Sequence, residues 1–371
     1  MEGIFLFILY QLINTIINTI IIRQPMKVKL DEGKKVSVLV PVRNEEETIE
    51  KCLNSLFLQD YKNMEIIVLD DNSSDRTPQI LELMNNERLR VIKGNEEPPE
   101  GWTGKNWACH RLYLESKGDI LIFVDSDTYL NKSAISTMVS EMQNRNLDFI
   151  SGIPKEETIT FGEKITLPFL NFSILSIFPI FLSFLSRHFY FFMFANGQFM
   201  MFRIESYKKV NGHQAVKSAV VEDFELAKIA RKNGLKVQIF NLSQLVSCRM
   251  YTNFRKSFFG LSKSYFPLFG MRLIPSIFVW VWMLIITFAP FYVLLFVDNP
   301  QMKIFATLSI MATFLIWFIT SVKFRLSRRT PFYYPLICLT NSIIGFASIF
   351  LTVAGKSSWK GRVLRRKIRL I

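Results

Sequence analysis

The stretch ILIFVDSD, residues 120–127, decides the fold of this chain, because five apolar residues end abruptly in two aspartates. A short apolar run of this kind is typical of a strand buried on both faces. Asp125 and Asp127 follow the strand, so we expect them in the crevice where open α/β sheets bind ligands. Two carboxylates there suit Mg²⁺ or Mn²⁺, whose other ligands are commonly substrate phosphates. Acidic turns after strands are common, so this pair alone does not establish a metal site.

Two earlier segments repeat the pattern of an apolar strand that ends at polar residues. Residues 64–71, MEIIVLDD, lead through the turn NSSD into a helix expected from about 76 to 86. Residues 36–42, VSVLVPV, lead into an amphipathic helix expected near 46–58. The alternation over 36–152 predicts a mostly parallel sheet with helices on both faces. Carboxylates gathered at one sheet edge repel one another, which favours a functional role for them.

Five motifs occur in the order found in glycosyltransferase family 2, which the sequence resembles from residue 36 to about 260. They are VSVLVPVRNEEETIEKCLNSLFLQDY with MEIIVLDDNSSDRT (36–77), GWTGKNWACHRL (101–112), DSD (125–127), ANGQFMMFR (195–203) and VED (221–223). The resemblance implies an α/β fold, a Rossmann-like GT-A domain that binds a nucleotide sugar. The membrane segments and the WKGR tail at 359–362 most resemble the branch that glycosylates membrane lipids, such as carotenoid acids, hopanoids and ceramides.

The resemblance also implies a donor site at the acidic strand ends. Asp127, with Asp125 beside it, would hold a divalent cation, Mg²⁺ or Mn²⁺, against the diphosphate of a UDP-sugar. Asp71 or its neighbour Asp70 would contact the uracil base. The other candidates for nucleotide-sugar binding are Pro41, Arg43, Glu45, Lys105, Ser126 and Arg249.

Two of these basic residues keep a second interpretation. Lys105 is expected either to reach a phosphate or to be a solvated residue at a helix start. Arg249, like Arg255 nearby, is expected either to clamp phosphates through its guanidinium or to contact lipid head groups beside the membrane.

The VED motif supplies the expected general base, Asp223, with Glu222 beside it. Asp223 begins a helix expected to run to about Lys232, and a helix N-terminus stabilises a carboxylate. The alternative is that both residues are ordinary first-turn acids. A base that activates an acceptor hydroxyl on the face opposite the nucleotide inverts the anomeric centre. A carboxylate acceptor would need little such help, and Asp223 would then mainly orient it.

Composition favours a membrane enzyme over a nucleic-acid-binding protein. Half of the 371 residues are hydrophobic, 35 are Phe, and the net charge is +14. No zinc spacing or recognition module accompanies the charge, so nucleic acid is not an expected partner. Basic residues beside apolar segments instead indicate the cytoplasmic side of a membrane.

The cysteines and histidines predict no metal site of their own. The four cysteines are scattered, which fits a reduced compartment without a disulfide framework. The three histidines lack metal-ligand spacing, so a zinc enzyme is not expected. His110 is expected to pack against its surroundings. For His213, packing and a position facing the acceptor sugar both remain open.

Three apolar segments are expected to cross a membrane. Residues 4–22 precede several lysines and an arginine, which predicts an anchor with its N-terminus outside. A signal peptide is disfavoured, because the charge follows the apolar run and no small-residue cleavage site is present. Residues 273–297 and 304–322 are separated by a short DNPQ linker, which predicts a hairpin that returns to the cytoplasm near Lys323.

The fourth apolar segment, 332–354, leaves two possibilities open. A full crossing would place the basic tail outside, against the positive-inside tendency, whereas re-entry would return it to the cytoplasm. The expected domains are an anchor at 1–24, a GT-A domain at 35–262, a transmembrane region at 270–355 and a basic cytoplasmic tail at 356–371. We expect a multi-pass protein of the cell membrane with a cytoplasmic catalytic domain.

An apolar insert at about 165–202 lies between the DSD and VED motifs. A single crossing there would separate the two halves of the active site. Pro168 and Pro179 predict broken helices, either at the membrane interface or as a buried helix pair. The interfacial alternative predicts an entrance for a lipid acceptor, with Phe181 and Phe184 in contact with lipid.

The expected function is therefore a metal-dependent, inverting glycosyltransferase that uses a UDP-sugar, with UDP-glucose as the expected donor. The expected acceptor is a membrane lipid such as a carotenoid acid or another isoprenoid lipid. One alternative is a processive polysaccharide synthase, but the chain reads CRMY at 248–251 where those enzymes carry Gln-x-x-Arg-Trp. Another is a non-catalytic protein that binds nucleotide sugars.

Overall fold

The computed structural model describes residues 1–26, 33–356, 358–359, 362–363 and 368–370. These residues fold as two compact units. The sheet unit comprises 22–157 and 180–250, and the helical unit comprises 1–21, 158–179 and the described part of 251–371.

The strands are short and most are fully buried. In chain order they are β1 Val36–Val42, β2 Met64–Asp70, β3 Leu89–Lys93, β4 Ile120–Val124, β5 Thr128–Leu130, β6 Phe149–Ile153, β7 Lys155–Glu156, β8 Phe199–Arg203, β9 Val237–Asn241, β10 Val246–Cys248, β11 Ser358–Trp359 and β12 Arg362–Val363. Seven of them form one sheet in the order β3-β2-β1-β4-β8-β6-β9, and β5, β10 and β7 form a second. In the large sheet β8 runs antiparallel to both neighbours, while the other pairs are parallel. The expected mostly parallel α/β fold is therefore confirmed.

The helices cover the large sheet and build the helical unit. They are α1 Glu2–Ile21, α2 Ile49–Phe57, α3 Thr77–Leu83, α4 Gly104–Leu114, α5 Ala134–Asn144, α6 Phe161–Thr166, α7 Pro168–Ser176, α8 Ile180–Leu185, α9 Ile204–Lys209, α10 Gly212–Ala215, α11 Glu222–Lys232, α12 Phe254–Leu268, α13 Leu273–Phe296, α14 Pro300–Lys323 and α15 Tyr334–Val353. Short 3₁₀ turns occupy Arg187–Phe192 and Thr330–Tyr333. The helices expected near 46–58 and 76–86 form, but α2 begins later and α3 ends earlier than the sequence pattern predicts.

The loops after β1 and β2 are locked together by asparagine and serine side chains. Asn44 and Asn72 adopt the left-handed conformation, with φ of 53° and 55°, which turns the chain sharply after each strand. Ser73 Oγ accepts a hydrogen bond from the Asn44 backbone N–H at 2.8 Å, and Asn44 Oδ1 accepts one from Ser74 N–H at 2.7 Å. This reciprocal pairing fixes the two strand ends that carry the predicted nucleotide site.

Among the described residues, four helices of the helical unit are long and apolar enough to span a membrane: the three expected to cross it, and a fourth whose path the sequence left open. They are Glu2–Ile21, Leu273–Phe296, Pro300–Lys323 and the segment Thr330–Val353, which includes α15. α15 packs antiparallel to α13, since the Tyr334 ring lies 6.2 Å from Phe291 and a Cβ on Gly345 would meet the Trp280 ring.

The last described residues return to the beginning of α13. The Leu273 backbone N–H donates to the Arg369 carbonyl at 2.9 Å, and Arg369 N–H donates to Met271 O at 2.9 Å. Arg369 therefore lies at the end of the α13–α14 hairpin that also carries Lys323. This position is the one expected if the last apolar segment, 332–354, re-enters and returns the chain to the side of the membrane on which Lys323 lies. The other part of the predicted basic tail falls mostly on residues 360–361 and 364–367, which lie outside the described residues.

The insert expected at 165–202 consists of broken helices, as the prolines predicted. α7 begins at Pro168, and the chain leaves it before Pro179. The insert is divided between the two compact units, with the change after Pro179.

Asparagines of α1 hold the end of α7. Asn14 Nδ2 donates to Ser176 O at 2.9 Å, and Asn18 Nδ2 donates to Leu175 O at 2.9 Å and to Phe178 O at 2.7 Å. The last carbonyls of a helix have no partner within the helix, so these side chains satisfy them. Asn14 and Asn18, polar residues in the otherwise apolar N-terminal segment, therefore make buried hydrogen bonds within the helical unit.

Candidate active site

The carboxyl ends of β1, β2 and β4 meet at one edge of the large sheet and bring the predicted donor residues together. Asp70 ends β2, and its Oδ1 accepts the Ser73 N–H at 3.1 Å, so this carboxylate stabilises its own turn. Asp71, also buried, accepts the Arg43 guanidinium at its carbonyl at 2.6 Å and pairs with it through Oδ2 at 3.6 Å. Asp71 therefore contacts another candidate nucleotide-binding residue, Arg43, whereas the contact described for Asp70 lies within its own turn.

Pro41 and Glu45 occupy the same edge. Pro41 lies in β1 opposite Leu69 of β2. The Glu45 carboxylate accepts the Thr48 hydroxyl at 2.9 Å, and its backbone N–H donates to Thr77 Oγ1 at 2.8 Å. Pro41 is thus positioned by strand pairing, and Glu45 by hydrogen bonds to Thr48 and to Thr77 of α3.

The DSD motif forms a tight turn between β4 and β5, since the Thr128 N–H donates to Asp125 O at 3.0 Å. Ser126 within it is buried. Burial raises the pKa of the Asp127 carboxyl to about 6, and the negative charges of Asp125 and Glu45 add to this effect. The Arg249 backbone N–H donates to Asp127 O at 3.4 Å, which places Arg249 directly beside the motif.

The chemistry of this turn fits a divalent cation that shares its ligands with a substrate. Asp125, Asp127 and Glu45 place negative charge close together, which Lys105 offsets in part, and a divalent cation would relieve the remaining repulsion. No group of three or more His, Cys, Asp or Glu side chains arranged to hold a metal occurs within the described ranges. A cation there would be held by Asp127 and Asp125, and its other ligands would have to come from phosphates or water.

Asp223 lies in the first turn of α11 and is fixed by two backbone donors. Oδ2 accepts the Gly197 N–H at 2.8 Å, and Oδ1 accepts the Phe224 N–H at 2.9 Å. Burial raises the pKa of the Asp223 carboxyl to about 7, and the neighbouring Glu222 charge adds to the rise, while Lys105 opposes it. The helix N-terminus was expected to favour the carboxylate, but burial and a like charge outweigh it.

Lys105 connects the two groups of carboxylates. Its ammonium lies 2.8 Å from Asp125 Oδ1 and 3.0 Å from Glu222 Oε1, and its side chain is three-quarters buried. The prediction of a solvated residue at a helix start is therefore wrong, although Lys105 does lie in the first turn of α4. Gly197 leaves room for this cluster, since a Cβ there would lie 3.3 Å from Lys105 Nζ and 3.4 Å from Asp223 Oδ2.

Residues 37–210 match the sequence model described as Glycosyl transferase family 2. This segment, just under half of the chain, is therefore similar to family 2 glycosyltransferases and is called here the family 2 domain. This confirms the resemblance inferred from the five motifs.

Two curated relatives of the family 2 domain carry the name 4,4'-diaponeurosporenoate glycosyltransferase. The protein of Staphylococcus haemolyticus (strain JCSC1435) is 32% identical over 228 residues, and that of Staphylococcus aureus (strain USA300) is 25% identical over 224 residues. Each match covers 59% of this chain and 57% of the relative, so the chain spans little more than half the length of these proteins.

A solved structure shares the fold across almost the whole chain. The mannosyltransferase PcManGT from Pyrobaculum calidifontis, in complex with GDP-Man and Mn²⁺, superposes with a TM-score of 0.54. It is 14% identical, and the match covers 94% of this chain and 98% of that one. The likeness confirms the GT-A-like fold of the family 2 domain.

Three residues beside the DSD turn of the family 2 domain were missed by the sequence reasoning. Cys248 of β10 pairs with Thr128 of β5 and with Glu156 of β7, and Gln198 Nε2 lies 2.8 Å from its sulfur. Burial raises the pKa of Glu156 to about 8, with the charge of Asp127 adding to it, so this carboxyl is mostly neutral at pH 7. Of the three residues, Gln198 lies within the ANGQFMMFR motif, and this motif was the sequence signal that could have pointed to it.

The histidines of the family 2 domain belong to its packing. His213 is fully buried, its Nδ1 lies 2.7 Å from the Tyr207 hydroxyl, and burial lowers its pKa to about 3. The possibility that it faces an acceptor sugar is therefore wrong. His110 packs between Trp102 and Trp107, as expected.

Proposed function

We propose that the protein is an inverting glycosyltransferase that moves a sugar from a UDP-sugar to a membrane lipid. UDP-glucose is the proposed donor, and a carotenoid acid or another isoprenoid lipid is the proposed acceptor. The observation that carries this proposal is the Lys105 bridge, which joins the DSD carboxylate Asp125 to Glu222, the neighbour of Asp223. The bridge supports a donor site at Asp125 and Asp127 that lies next to the helix turn carrying Asp223, the proposed proton acceptor.

The donor would bind along the edge formed by β1, β2 and β4. Asp71, positioned by Arg43, would accept hydrogen bonds from the nucleobase, with Asp70 and Glu45 nearby and Pro41 forming the wall. Ser126 and Arg249, on either side of Asp127, would face the ribose and the phosphates.

A divalent cation, Mg²⁺ or Mn²⁺, would be held by Asp127 and Asp125 and would stabilise the departing diphosphate as a Lewis acid. Lys105 is close enough to Asp125 to share that task, since its ammonium is directed at the same carboxylate. A phosphate that enters the site would compete with Asp125 and Glu222 for this ammonium. Lys105 would then supply positive charge where negative charge develops on the leaving group.

Asp223 would act as the general base. With a pKa of about 7, its carboxylate is populated near neutral pH and is basic enough to take the proton of an acceptor hydroxyl. The acceptor oxygen bonds to the anomeric carbon as the bond from that carbon to the diphosphate oxygen breaks, which inverts the centre. The N–H groups of Gly197 and Phe224 hold the carboxylate in place during this step. For a carboxylate acceptor, which has no proton to lose, Asp223 would mainly orient the substrate.

A lipid acceptor agrees with the four candidate membrane spans and with the names of the relatives. We propose that residues 1–24 anchor the chain, that 35–262 form the catalytic domain, and that 270–355 form the remaining membrane region. The protein would be a multi-pass protein of the cell membrane, with the catalytic domain and the tail 356–371 on the cytoplasmic side.

The test is a transfer assay on full-length protein in detergent with Mn²⁺. Radiolabelled UDP-sugars are offered with membrane lipids of the host, and Asp127→Ala and chelator serve as controls. GDP-mannose is included because it is the donor bound by the similar solved structure. Label in one extractable lipid, lost with the variant and with chelator, supports the proposal and identifies the acceptor.

Other outcomes of the same assay contradict it. Label in an insoluble polymer would indicate a polysaccharide synthase. Binding of UDP-sugar without transfer to any lipid fraction of the host would indicate a non-catalytic nucleotide-sugar-binding protein.

A further inference from the structure

We propose that residues 180–192 form a lipid-contacting surface carried by the same helix that presents Asp223. This surface, called here the aromatic flap, consists of α8 and the following 3₁₀ turn Arg187–Phe192. The proposal rests on the proposed function only in taking the lipid acceptor to lie in the contacted membrane. Contact with the phospholipid surface itself is a separate and independently measurable claim.

The aromatic flap exposes several large apolar side chains, whose contact with water is unfavourable if the segment has no binding partner. Leu185 is 74% exposed, Phe191 50% and Phe189 38%. Phe181 and Phe184, the residues expected to contact lipid, are more buried than these. Neighbouring exposed apolar residues on one short segment are the usual mark of an interaction surface.

The charges around the aromatic flap favour a phospholipid surface as its partner. The sequence has no Asp or Glu from residue 164 to residue 204. Arg187 and His188 are exposed beside the aromatic residues, and the ammonium of Lys232 lies 5.5 Å from the centre of the Tyr190 ring. Aromatic side chains beside cationic ones match the apolar boundary and the anionic head groups of a membrane surface.

Helix α11 holds the aromatic flap through its last turn. The guanidinium of Arg231 donates from Nε to Ser183 O at 2.7 Å and from Nη2 to Phe184 O at 3.4 Å. These carbonyls lie in the last turn of α8, where helix carbonyls lack partners of their own. Together with the Lys232–Tyr190 contact, this bonding fixes the flap to the C-terminal end of α11.

The N-terminal end of α11 carries Asp223, so one helix connects the aromatic flap to the proposed base. Asp223 and Arg231 are eight residues apart, about 12 Å along the helix axis. The Phe194 ring, just after the flap, lies 5.7 Å from Phe224, whose N–H holds Asp223. A membrane that binds the flap would therefore also fix the position of the base relative to the lipid surface.

The experiment places an environment-sensitive fluorophore on single introduced cysteines of the full-length protein in nanodiscs that contain nitroxide-labelled anionic phospholipid. The labelled variants are Leu185→Cys and Phe191→Cys. The matched controls are Leu83→Cys and Leu114→Cys, at positions 83% and 63% exposed in the same unit. The four native cysteines are buried, which limits labelling to the introduced sites.

Residues that enter the head-group boundary lie within about 10 Å of it, so we expect about half or more of the emission at 185 and 191 to be quenched. The controls should lose little emission. Equal quenching at all four positions, or none at 185 and 191, would overturn the proposal.

A second measurement separates this inference from the proposed function. Phe191→Ser should raise the KM for an acceptor presented in a bilayer several-fold and leave the KM for a short-chain, water-soluble analogue unchanged. An equal change for both acceptors contradicts the role of the flap. If no acceptor is glycosylated by the unaltered protein, the proposed function fails, while the quenching result still decides membrane contact.

Discussion

The ammonium group of Lys105 lies 3.0 Å from Oε1 of Glu222, although 117 residues separate them in the chain. The same ammonium lies 2.8 Å from Asp125. The Lys105 ammonium therefore stabilises two acidic groups. Asp125 follows β4 and belongs to the proposed metal and phosphate site, and Glu222 lies in α11 beside the proposed base. Removing this ammonium should affect both parts of the site.

Replacing Lys105 with Ala should lower turnover and move the pH–rate profile to higher pH. The positive charge of Lys105 lowers the pKa of Asp223, so its loss raises that pKa further above the ordinary value. The measurement is kcat/KM against pH for the variant and for Lys105→Arg, which keeps the charge and should retain the original midpoint. A profile of Lys105→Ala that moves to lower pH would contradict this electrostatic role. Lys93→Ala, which breaks an exposed ion pair with Glu82, is the matched control.

Activity toward a hydroxyl acceptor should rise with pH through about 7. The base acts as the carboxylate, and burial together with Glu222 raises the pKa of Asp223 to about 7. Below that pH the carboxyl is protonated and turnover falls about tenfold per pH unit. The profile is measured with saturating donor. A rate independent of pH between 5 and 8 would argue against a titrating base, and it is the result expected for a carboxylate acceptor.

Asp223→Asn should lower kcat for a hydroxyl acceptor by about 10²- to 10⁴-fold, because the amide cannot accept the proton. The same change should raise the thermal stability at pH 8. A carboxyl whose pKa is raised by folding stabilises the folded state at pH values below its unfolded pKa and loses that contribution as pH rises through about 7. Glu225→Gln, in the same helical turn but more exposed, should change neither quantity appreciably. Near-normal turnover of Asp223→Asn would refute the base role.

Asp127→Ala should abolish the dependence of donor binding on the divalent cation. In the unaltered protein, removal of Mn²⁺ by chelator is expected to weaken UDP-sugar binding by about an order of magnitude or more, since the diphosphate then meets the carboxylates of Asp125 and Asp127 without a divalent cation between them. The variant should bind weakly with or without the metal, as measured by calorimetry. Equal affinity of the unaltered protein in Mn²⁺ and in chelator would contradict a cation at this turn.

Asn18→Ala should destabilise the helical unit without touching the donor site. Asn18 Nδ2 donates to Leu175 O and Phe178 O, and leaving buried acceptors unpaired costs about 1–3 kcal/mol. Thermal unfolding in nanodiscs measures the loss, with Ile16→Ala, at a half-exposed position of the same helix, as the control. If both variants melt at the temperature of the unaltered protein, these hydrogen bonds contribute nothing measurable.

The sequence was sufficient where local pattern determines structure. The apolar runs that end at Asp71 and Asp125 predicted β2, β4 and the sheet edge, because burial on both faces requires continuous apolar residues. Pro168 and Pro179 predicted the breaks in the insert, since proline lacks the helical donor. The order of the motifs predicted the similarity to family 2 that the match over residues 37–210 confirms.

The contacts between distant segments were beyond such pattern reasoning. Lys105 meets Glu222 only because β8 inserts antiparallel beside β4 and brings Gly197 to the start of α11. Glu156 lies beside the DSD turn through a three-stranded sheet too short to give a periodic signal. The elevated pKa of Asp223 depends on burial, which the first-turn position of the residue does not reveal.

The asparagines of α1 have a consequence for how the protein is made. Asn14 contacts a carbonyl 162 residues further along the chain, so the ribosome delivers the first helix long before its partner exists. For a helix that enters a bilayer during synthesis, these amides spend that interval without the acceptors they finally use. An arbitrary apolar leader in place of this segment would lack these amides, so we expect it to leave the carbonyls at the end of α7 without the donors that Asn14 and Asn18 supply.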